Sequence, residues 1–528
     1  MIKNQISKIK YQNEGVASRR NFFIKLLIFL LLLLWLGVLY AQKVDLATAD
    51  LGRHLQNGRW VMESHFNLIE KKSPVHENFY SYTYPDFPTV NHHWGSGVIF
   101  YWIFELVGFS GLSFFYIILS LLAFGIFFLI AYCESNFTLA VLTAFLLVPL
   151  MAERTEIRPE VWSVLLSAIF LLLFWKYWQG KVGWKWLFLL VPLQIVWANF
   201  HVYFFLGIFL AGCFWLSEIF WIIFQKMTDE EFTKGLKRAK ILVAILVLIC
   251  VASLVNPFGL EGFLYPLKIF KNYGYTIVEN KSVSFVENYG VINPNFALIK
   301  AVLVLAALSL FLLLAVDRKK ISIFYLLSFI FFGFLGWLAI RNFTLLGFFA
   351  LPILAYNFYS VLGQKKSEAN AAKESGVAVL YIILIAVGLW GNYKYVEAHQ
   401  RGMGIGLESG VEGAADFVRR ENIKGPIFNN YDIGGYLIWN LPEGEKVFVD
   451  NRPEAYPDSF FSQIYKPMQE NPDIFEKVDR EYSFKTIIFS RNDITPWWMN
   501  FLKVIQDNKN WEKVFEDDFA VIYARKGN

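Results

Sequence analysis

Runs of about 20 apolar residues recur along this chain from Phe22 to Val396. A bilayer offers no water to backbone N–H and C=O groups, so an apolar run of that length is typical of a membrane-spanning α-helix. A water-soluble core could not bury a chain that is 56% hydrophobic. The runs lie near residues 22–41, 111–132, 137–152, 161–178, 186–200, 202–224, 241–256, 297–316, 321–340, 343–362 and 377–396. We predict an α-helical polytopic membrane protein with about eleven transmembrane helices.

The basic residues give these helices a direction across the membrane. Cytoplasmic loops carry an excess of Lys and Arg, and here the basic segments are the leader 1–21 and the loops 181–185, 226–240, 318–320 and 365–373. We therefore expect a cytoplasmic leader, an uncleaved first helix and an external C-terminus, in the cell inner (cytoplasmic) membrane. The net charge of +5 then reflects topology, and we expect no nucleic acid partner.

Three parts of the chain are expected. The leader 1–21 precedes a transmembrane domain over 22–396, whose long external loop 42–110 ends in an interfacial helix, Trp94–Val107. Residues 397–528 change to alternating short strands and helices, which predicts an external soluble α/β domain. Its predicted strands are Pro426–Asn429, Lys446–Asp450, Lys485–Ser490 and a hairpin over Trp511–Arg525, and its predicted helices are 411–421, 433–441, 457–480 and 495–508.

The external loop 42–110 holds the densest set of polar residues. Asp50 and His54 are four residues apart, so on a helix they share one face and could act on one substrate. The alternative is a solvated loop with an ordinary ion pair, and spacing alone favours that alternative. The three cysteines lie inside apolar runs, and we predict no disulfide and no metal site.

Arginines at the outer ends of helices are a second signal. Arg154 and Arg158 flank one helix junction, and Arg341 lies between two apolar runs. A guanidinium suits phosphate oxygens, but Arg154 could equally pair with a neighbouring glutamate. Arg341 has no acid nearby in sequence, so an anionic ligand is the favoured interpretation there.

Other polar motifs are open to a structural explanation. Asn199 and His201 lie between two helices, where helix capping and packing are more common than catalysis. Gly434-Gly435-Tyr436 and Asp450-Asn451-Arg452-Pro453 follow predicted strands and are interpreted as tight turns with a structural role.

Several of these segments resemble one family. Thr48-Ala49-Asp50-Leu51-Gly52-Arg53-His54-Leu55, followed by Gly58-Arg59-Trp60, resembles the start of polytopic GT-C superfamily glycosyltransferases, which include protein O-mannosyltransferases, aminoarabinose transferases and oligosaccharyltransferases. His92-His93-Trp94-Gly95 resembles a later loop element of that superfamily. Trp197–His201, Asn256–Gly259, Arg341-Asn342, Tyr431–Trp439 and Val449–Arg452 are similar to a bacterial branch of it.

The resemblance implies transfer of a sugar from a polyprenyl-phosphate donor to a lipid, glycan or protein acceptor on the external face, with inversion. It makes Asp50 the general base, with Asp45 in reserve. Candidate substrate-binding residues are His54, His93, Arg158, His201 and Arg341, of which Arg341 and Arg158 would hold the lipid phosphate.

The sequence departs from the superfamily in two places. Asp50 is followed by Leu51 rather than by a second acid, which weakens any claim of a divalent metal site. The Pro-Pro-Leu that commonly follows the later histidine is absent, which leaves the register of His93 open. The alternatives are a transporter or flippase of a lipid-linked molecule and a non-catalytic membrane scaffold.

Overall fold

The computed structural model of the chain describes residues 2–47, 49–224, 227–268, 271, 273–362, 379–391, 402–493 and 495–527, with side chains from residue 19 onward. The predicted basic loop 365–373 and most side chains of the leader 1–21 lie outside the described residues.

Apolar helices form the bulk of the molecule. They are α1 (Ile2–Tyr40), α3 (Trp94–Glu134), α4 (Phe137–Met151), α5 (Glu160–Trp178), α6 (Leu190–Phe200), α7 (Phe205–Phe224), α8 (Asp229–Ala252), α11 (Pro294–Asp317), α12 (Ile323–Leu338), α13 (Phe343–Leu362) and α14 (Val379–Gly391). Ten of the eleven predicted runs overlap one of these helices, and the eleventh, 377–396, does so over Val379–Gly391, with its two ends outside the described residues. In the described part of the chain, six helical segments are long and apolar enough to cross a membrane, and α4, α12 and α14 are apolar but shorter. The number of crossings stays a prediction.

The helix boundaries follow local chemistry. Thr228 opens α8 with a capping box, in which its hydroxyl accepts from Glu231 N and the Glu231 carboxylate accepts from Thr228 N at 2.9 Å. Asn136 caps α4. Gly108, with φ of +64°, breaks α3 into two parts. The first part, from Trp94 to Val107, is the stretch that the sequence predicted as an interfacial helix, and the longer apolar part follows it.

Short helices lie outside the main bundle. They are α2 (Leu51–Glu63), α9 (Leu260–Leu264) and α10 (Val283–Asn288), with 3-10 turns at Val278–Asn280 and Ile340–Asn342. The backbones of α2 and α3 approach closely, since a Cβ on Gly58 would stand 2.1 Å from the carbonyl oxygen of Gly97. This close contact packs α2 against the first part of α3.

A small α/β unit follows the last apolar helix. Its four-stranded sheet has the order β1 (Ile427–Asn429), β2 (Thr486–Ser490), β4 (Ala520–Arg525) and β3 (Trp511–Glu516), with β1 and β2 parallel and the other pairs antiparallel. Its helices are α15 (Gly413–Arg420), α16 (Gly434–Asn440), α17 (Lys466–Glu470), α18 (Pro472–Tyr482) and α19 (Pro496–Gln506), with a π-helical turn at Phe460–Tyr465. Phe428, Phe448, Phe484, Phe489 and Phe501 form the centre of its own core.

One predicted strand is wrong. Lys446–Asp450 is buried from Val447 onward but makes a single bridge, between Val447 and Ser81 of loop 42–110. Its other polar backbone groups bond to side chains, since the Phe448 carbonyl accepts from Ser81 Oγ at 3.1 Å and the Phe448 amide donates to Asn429 Oδ1 at 2.9 Å. The segment is therefore held by loop 42–110 and by the Asn429 side chain at the end of β1, and it forms no strand ladder with the sheet.

Candidate active site

Asp50 lies where loop 42–110 enters α2. It occupies the N-cap position, yet its side chain makes no capping hydrogen bond to that helix. Its Oδ2 atom is 3.3 Å from Nη1 of Arg158, and its Oδ1 atom accepts from the Asn451 amide. The carboxylate, 22% exposed, is thus held between a cation and a neutral donor from two distant parts of the chain.

Arg154 and Arg158 lie in the link between α4 and α5, at the same end of the bundle. Arg154 Nε is 3.0 Å from Glu160, and its Nη1 donates to Glu279. Arg158 contacts Glu156 at 2.5 Å and Glu279 at 3.4 Å. Pairing of Arg154 with a neighbouring glutamate, which the sequence left open, is therefore present.

Arg341 reaches the same cluster from the turn between α12 and α13. Its Nη2 atom is 2.9 Å from Glu160 Oε1, and its Nη1 atom donates to Asn280 Oδ1 at 2.8 Å. Arg341 has no acid nearby in sequence, but Glu160, which is remote in sequence, folds against it. The anionic ligand stays a prediction.

These side chains form one network of ion pairs, which we call the arginine network. Its members are Arg154, Arg158, Arg341, Asp50, Glu156, Glu160 and Glu279. Burial alone would raise the pKa of Glu279, but the three arginines outweigh burial and hold that pKa well below its ordinary range. Glu279 is therefore an anion at neutral pH, and it occupies a position between two guanidiniums.

Two nitrogens of the arginine network have no partner. Within the described residues, Arg154 Nη2 and Arg341 Nε are buried and make no hydrogen bond. A buried charged donor without an acceptor is costly. Both arginines line a small cavity of about 20 Å³ together with Tyr40, Tyr116 and Tyr203. This part of the network therefore presents donors to a further acceptor atom.

A larger cavity of about 840 Å³ adjoins the arginine network. Arg154 and Glu279 line it from one side, Asp45 and Ala49 from loop 42–110, and Asn492 from the C-terminal unit. Asp45 belongs to this wall, where its Oδ2 atom accepts from Asn492 Nδ2 at 2.9 Å. The space is sufficient for a ligand of several hundred cubic ångströms.

Four histidines pack together behind Asp50. The ring centroids of His54 and His93 are 5.3 Å apart, those of His93 and His92 3.8 Å, and those of His93 and His201 5.5 Å. Burial lowers the pKa of His54 and His93 well below the ordinary value and lowers that of His92 and His201 to about 3. All four are therefore neutral at physiological pH and act as hydrogen-bonding groups rather than as cations.

His201 is tied into the helix bundle. Its Nδ1 atom is 2.7 Å from Ser163 Oγ, which also accepts from Trp197 Nε1 at 2.7 Å. Since Ser163 Oγ accepts a hydrogen bond from the indole N–H, the hydroxyl proton of Ser163 is available for a hydrogen bond to His201 Nδ1. His54 differs, because in the described structure its buried Nδ1 atom has no partner.

Several members of the site were missed from the sequence. Glu279 and Asn280 were not identified as site residues, and Asn451 was interpreted as part of a turn. The partners of Glu279, Asn280 and Asn451 lie 61 to 401 residues away along the chain, so no local spacing could have identified these three residues.

Comparison with known proteins establishes the fold. No protein-family model and no curated protein sequence matches the chain. Solved structures do. The Archaeoglobus fulgidus oligosaccharyltransferase tethered with an acceptor peptide containing the NVT sequon has a TM-score of 0.60 and 12% identity, covering 88% of this chain and 69% of that chain. ArnT from Cupriavidus metallidurans in the apo state has a TM-score of 0.51 and 13% identity, and the match covers 94% of this chain and 97% of that chain.

The chain has the GT-C fold. A third structure, AglB from Archaeoglobus fulgidus in complex with an inhibitory peptide and a dolichol-phosphate, has a TM-score of 0.50 and 13% identity, covering 90% of this chain and 70% of that chain. The predicted fold class is confirmed, and the chain is a multi-pass membrane protein. At identities of 12 and 13%, the similarity shows the fold alone.

Proposed function

We propose that this protein is a membrane glycosyltransferase that moves a sugar from a polyprenyl-phosphate donor to an acceptor on the external face, with inversion. One observation carries the proposal. A carboxylate, Asp50, stands 3.3 Å from Arg158, and in the described structure Arg154 and Arg341 of the same network keep unpaired buried donors beside a small cavity of about 20 Å³. Arg154 also lines the adjoining cavity of about 840 Å³. A proton acceptor and anion-binding donors thus meet at one place in a GT-C fold.

The arginines suit a polyprenyl-phosphate sugar donor. A polyprenyl phosphate combines an anionic headgroup with an apolar tail, so its site needs cations at helix ends and apolar helices beside them. Arg154 and Arg341 lie at such ends and have nitrogens without acceptors. That AglB is seen with a dolichol-phosphate supports the same ligand class here.

The phosphate must compete with Glu279 for the guanidiniums. Glu279 lies in a short 3-10 turn of the loop between α9 and α11 and is 32% exposed, so its side chain can turn away without moving a helix. Glu160, only 17% exposed, would keep holding Arg154 and Arg341. The expected bound state exchanges one carboxylate for one phosphate and leaves the remaining ion pairs intact.

The reaction follows from the placement of Asp50. The acceptor oxygen or nitrogen attacks the anomeric carbon while Asp50 takes its proton. A new bond forms from that carbon to the acceptor, the carbon–oxygen bond to phosphate breaks, and the polyprenyl phosphate leaves with the bonding electron pair. Arg341 and Arg158 stabilise the charge that develops on the leaving phosphate. A single displacement from the opposite face inverts the anomeric carbon.

The remaining candidates have supporting roles in this proposal. His54 and His93, being neutral, would hydrogen-bond substrate hydroxyls, and His201 would hold the outer ends of α5 and α6. Asp45 on the cavity wall stays the reserve base. In the described residues no group of three or more His, Cys, Asp or Glu could hold a metal ion, and the proposal assigns no step to a metal. The external position of the site and of the C-terminal unit is part of the proposal.

The test is Asp50→Asn, assayed with the full chain in bacterial membranes. Undecaprenyl-phosphate glucose, mannose and galactose, each radiolabelled in the sugar, are supplied separately, and label leaving the polyprenyl lipid is counted. We expect transfer in the wild type and a loss of at least about 100-fold in Asp50→Asn.

The control is Asp416→Asn, which alters an exposed acid paired with Arg419 and should retain full transfer. Asp45→Asn separates the two candidate bases. Full transfer by Asp50→Asn would remove Asp50 as the base. Movement of the labelled lipid between the two leaflets of the vesicle membrane, without transfer of its sugar, would support the flippase hypothesis instead.

A further inference from the structure

We infer that Asn451, from the C-terminal unit, is a positioning residue that orients the Asp50 carboxylate for proton transfer. The inference rests on the proposed function and adds a component that the apolar helices cannot provide. It assigns the C-terminal unit a place in the active site itself.

The orientation of the Asn451 amide is set by Arg53. Arg53 Nε donates to Asn451 Oδ1 at 3.1 Å. An arginine has only donors, so the oxygen of the amide must face Arg53 and its NH₂ group must face the other way. That NH₂ group donates to Asp50 Oδ1.

The backbone at Asn451 is held rigidly on both sides. Asp450 and Arg452 are buried and form an ion pair at 2.6 Å, and Arg452 also donates to Asn78 Oδ1 at 2.9 Å. Gly435 packs directly against the amide, because a Cβ there would stand 3.2 Å from Asn451 Nδ2. The amide therefore reaches Asp50 from a fixed position.

Asp50 is consequently held at both oxygens, Oδ2 by Arg158 and Oδ1 by Asn451. Two anchors fix the rotation of the carboxylate, which orients its remaining lone pairs. A second cation in place of Asn451 would fix the rotation of the carboxylate equally well but would make Asp50 a weaker base. A neutral amide orients the base without that loss, which is the reason an asparagine suits this position.

The decisive variant is Asn451→Asp, which keeps the shape of the side chain. Its carboxylate still accepts from Arg53, so the C-terminal unit stays docked, but it has no donor for Asp50 and adds a like charge beside it. We expect kcat for transfer from the active undecaprenyl-phosphate sugar to fall about 10- to 100-fold with KM for that donor within about twofold. The acid limb of the pH–rate profile should move to higher pH.

Asn451→Ala, Asp50→Asn and the double variant Asp50→Asn/Asn451→Ala form a double-mutant cycle with the wild type. If Asn451 acts through Asp50, its removal costs nothing more once Asp50 is already asparagine. Asn440→Ala is the control, since Asn440 bonds only to the Tyr436 carbonyl of its own helix in the described structure and should retain kcat. Thermal unfolding of each variant checks that the chain is folded.

The outcomes separate the two proposals. Full kcat in Asn451→Asp, or losses that multiply in the double variant, would overturn the positioning role while leaving the glycosyltransferase intact. Full kcat in Asp50→Asn would overturn the choice of base and the role of Asn451 with it.

Discussion

Replacing Glu279 by Gln tests whether the arginine network is built to receive a phosphate. Glu279 contacts Arg154 and lies 3.4 Å from Arg158. At that distance two unit charges attract by about 5 kcal/mol at an effective dielectric constant of about 20. Desolvation and side-chain ordering offset most of this attraction, which leaves about 1–2 kcal/mol for a partly exposed pair.

Since a phosphate must displace this carboxylate, its removal should strengthen phosphate binding by the same amount. About 1.4 kcal/mol corresponds to a tenfold change in affinity. We therefore expect undecaprenyl phosphate to bind the Glu279→Gln variant about tenfold more tightly than the wild type. The ligand-free variant should unfold at a lower temperature, because Arg154 and Arg158 have each lost one of their acidic partners.

The assay is titration of the full chain in lipid nanodiscs with undecaprenyl phosphate, and with undecaprenol as the uncharged tail. Only the phosphate should show the gain. Glu287→Gln is the matched control, because Glu287 pairs with Lys300 in the same loop region but outside the arginine network. Equal or weaker phosphate binding by Glu279→Gln would refute the reasoning and would mean that the arginines serve the fold.

Two further predictions concern pH and packing. Burial lowers the pKa of His201 and His92 to about 3, against 6.5 in the unfolded chain. Their contribution to stability is therefore constant above pH 6.5 and is lost as pH falls towards 3, by up to about 1.4 kcal/mol per pH unit per imidazole. Thermal unfolding between pH 8 and pH 4 measures this, and His201→Gln should flatten the dependence, whereas an unchanged slope would contradict it. Gly52→Ala places a Cβ 2.5 Å from the Gly435 carbonyl oxygen and should destabilise the docking of α2 on α16 by about 1–3 kcal/mol, whereas Gly212→Ala, with nothing within 4 Å, should be tolerated. Equal unfolding temperatures for the two glycine variants would show that the contact is unimportant.

Most of the fold could be predicted because it depends on local patterns. Length and polarity locate the apolar helices, and Gly108 marks the break in α3. Strands β1 and β2 and the final hairpin were also predictable, since short apolar runs flanked by turn residues are local signals. The segment Lys446–Asp450 has the same local pattern but lies outside the sheet, because its backbone groups bond to loop 42–110 and to the Asn429 side chain instead of to a neighbouring strand. Local patterning reports burial and cannot report which partner provides it.

The candidate site divides in the same way. The sequence by itself determined that Asp50, Arg158 and Arg341 are polar groups at helix ends in a largely apolar chain, since charge is costly in lipid and collects at its edge. Only the tertiary structure decided that Glu160 pairs with Arg341 and that Asn451 donates to Asp50. Those contacts join residues 181 and 401 positions apart, and such pairs form only because the packing of helices and the docking of the C-terminal unit bring distant segments to one point.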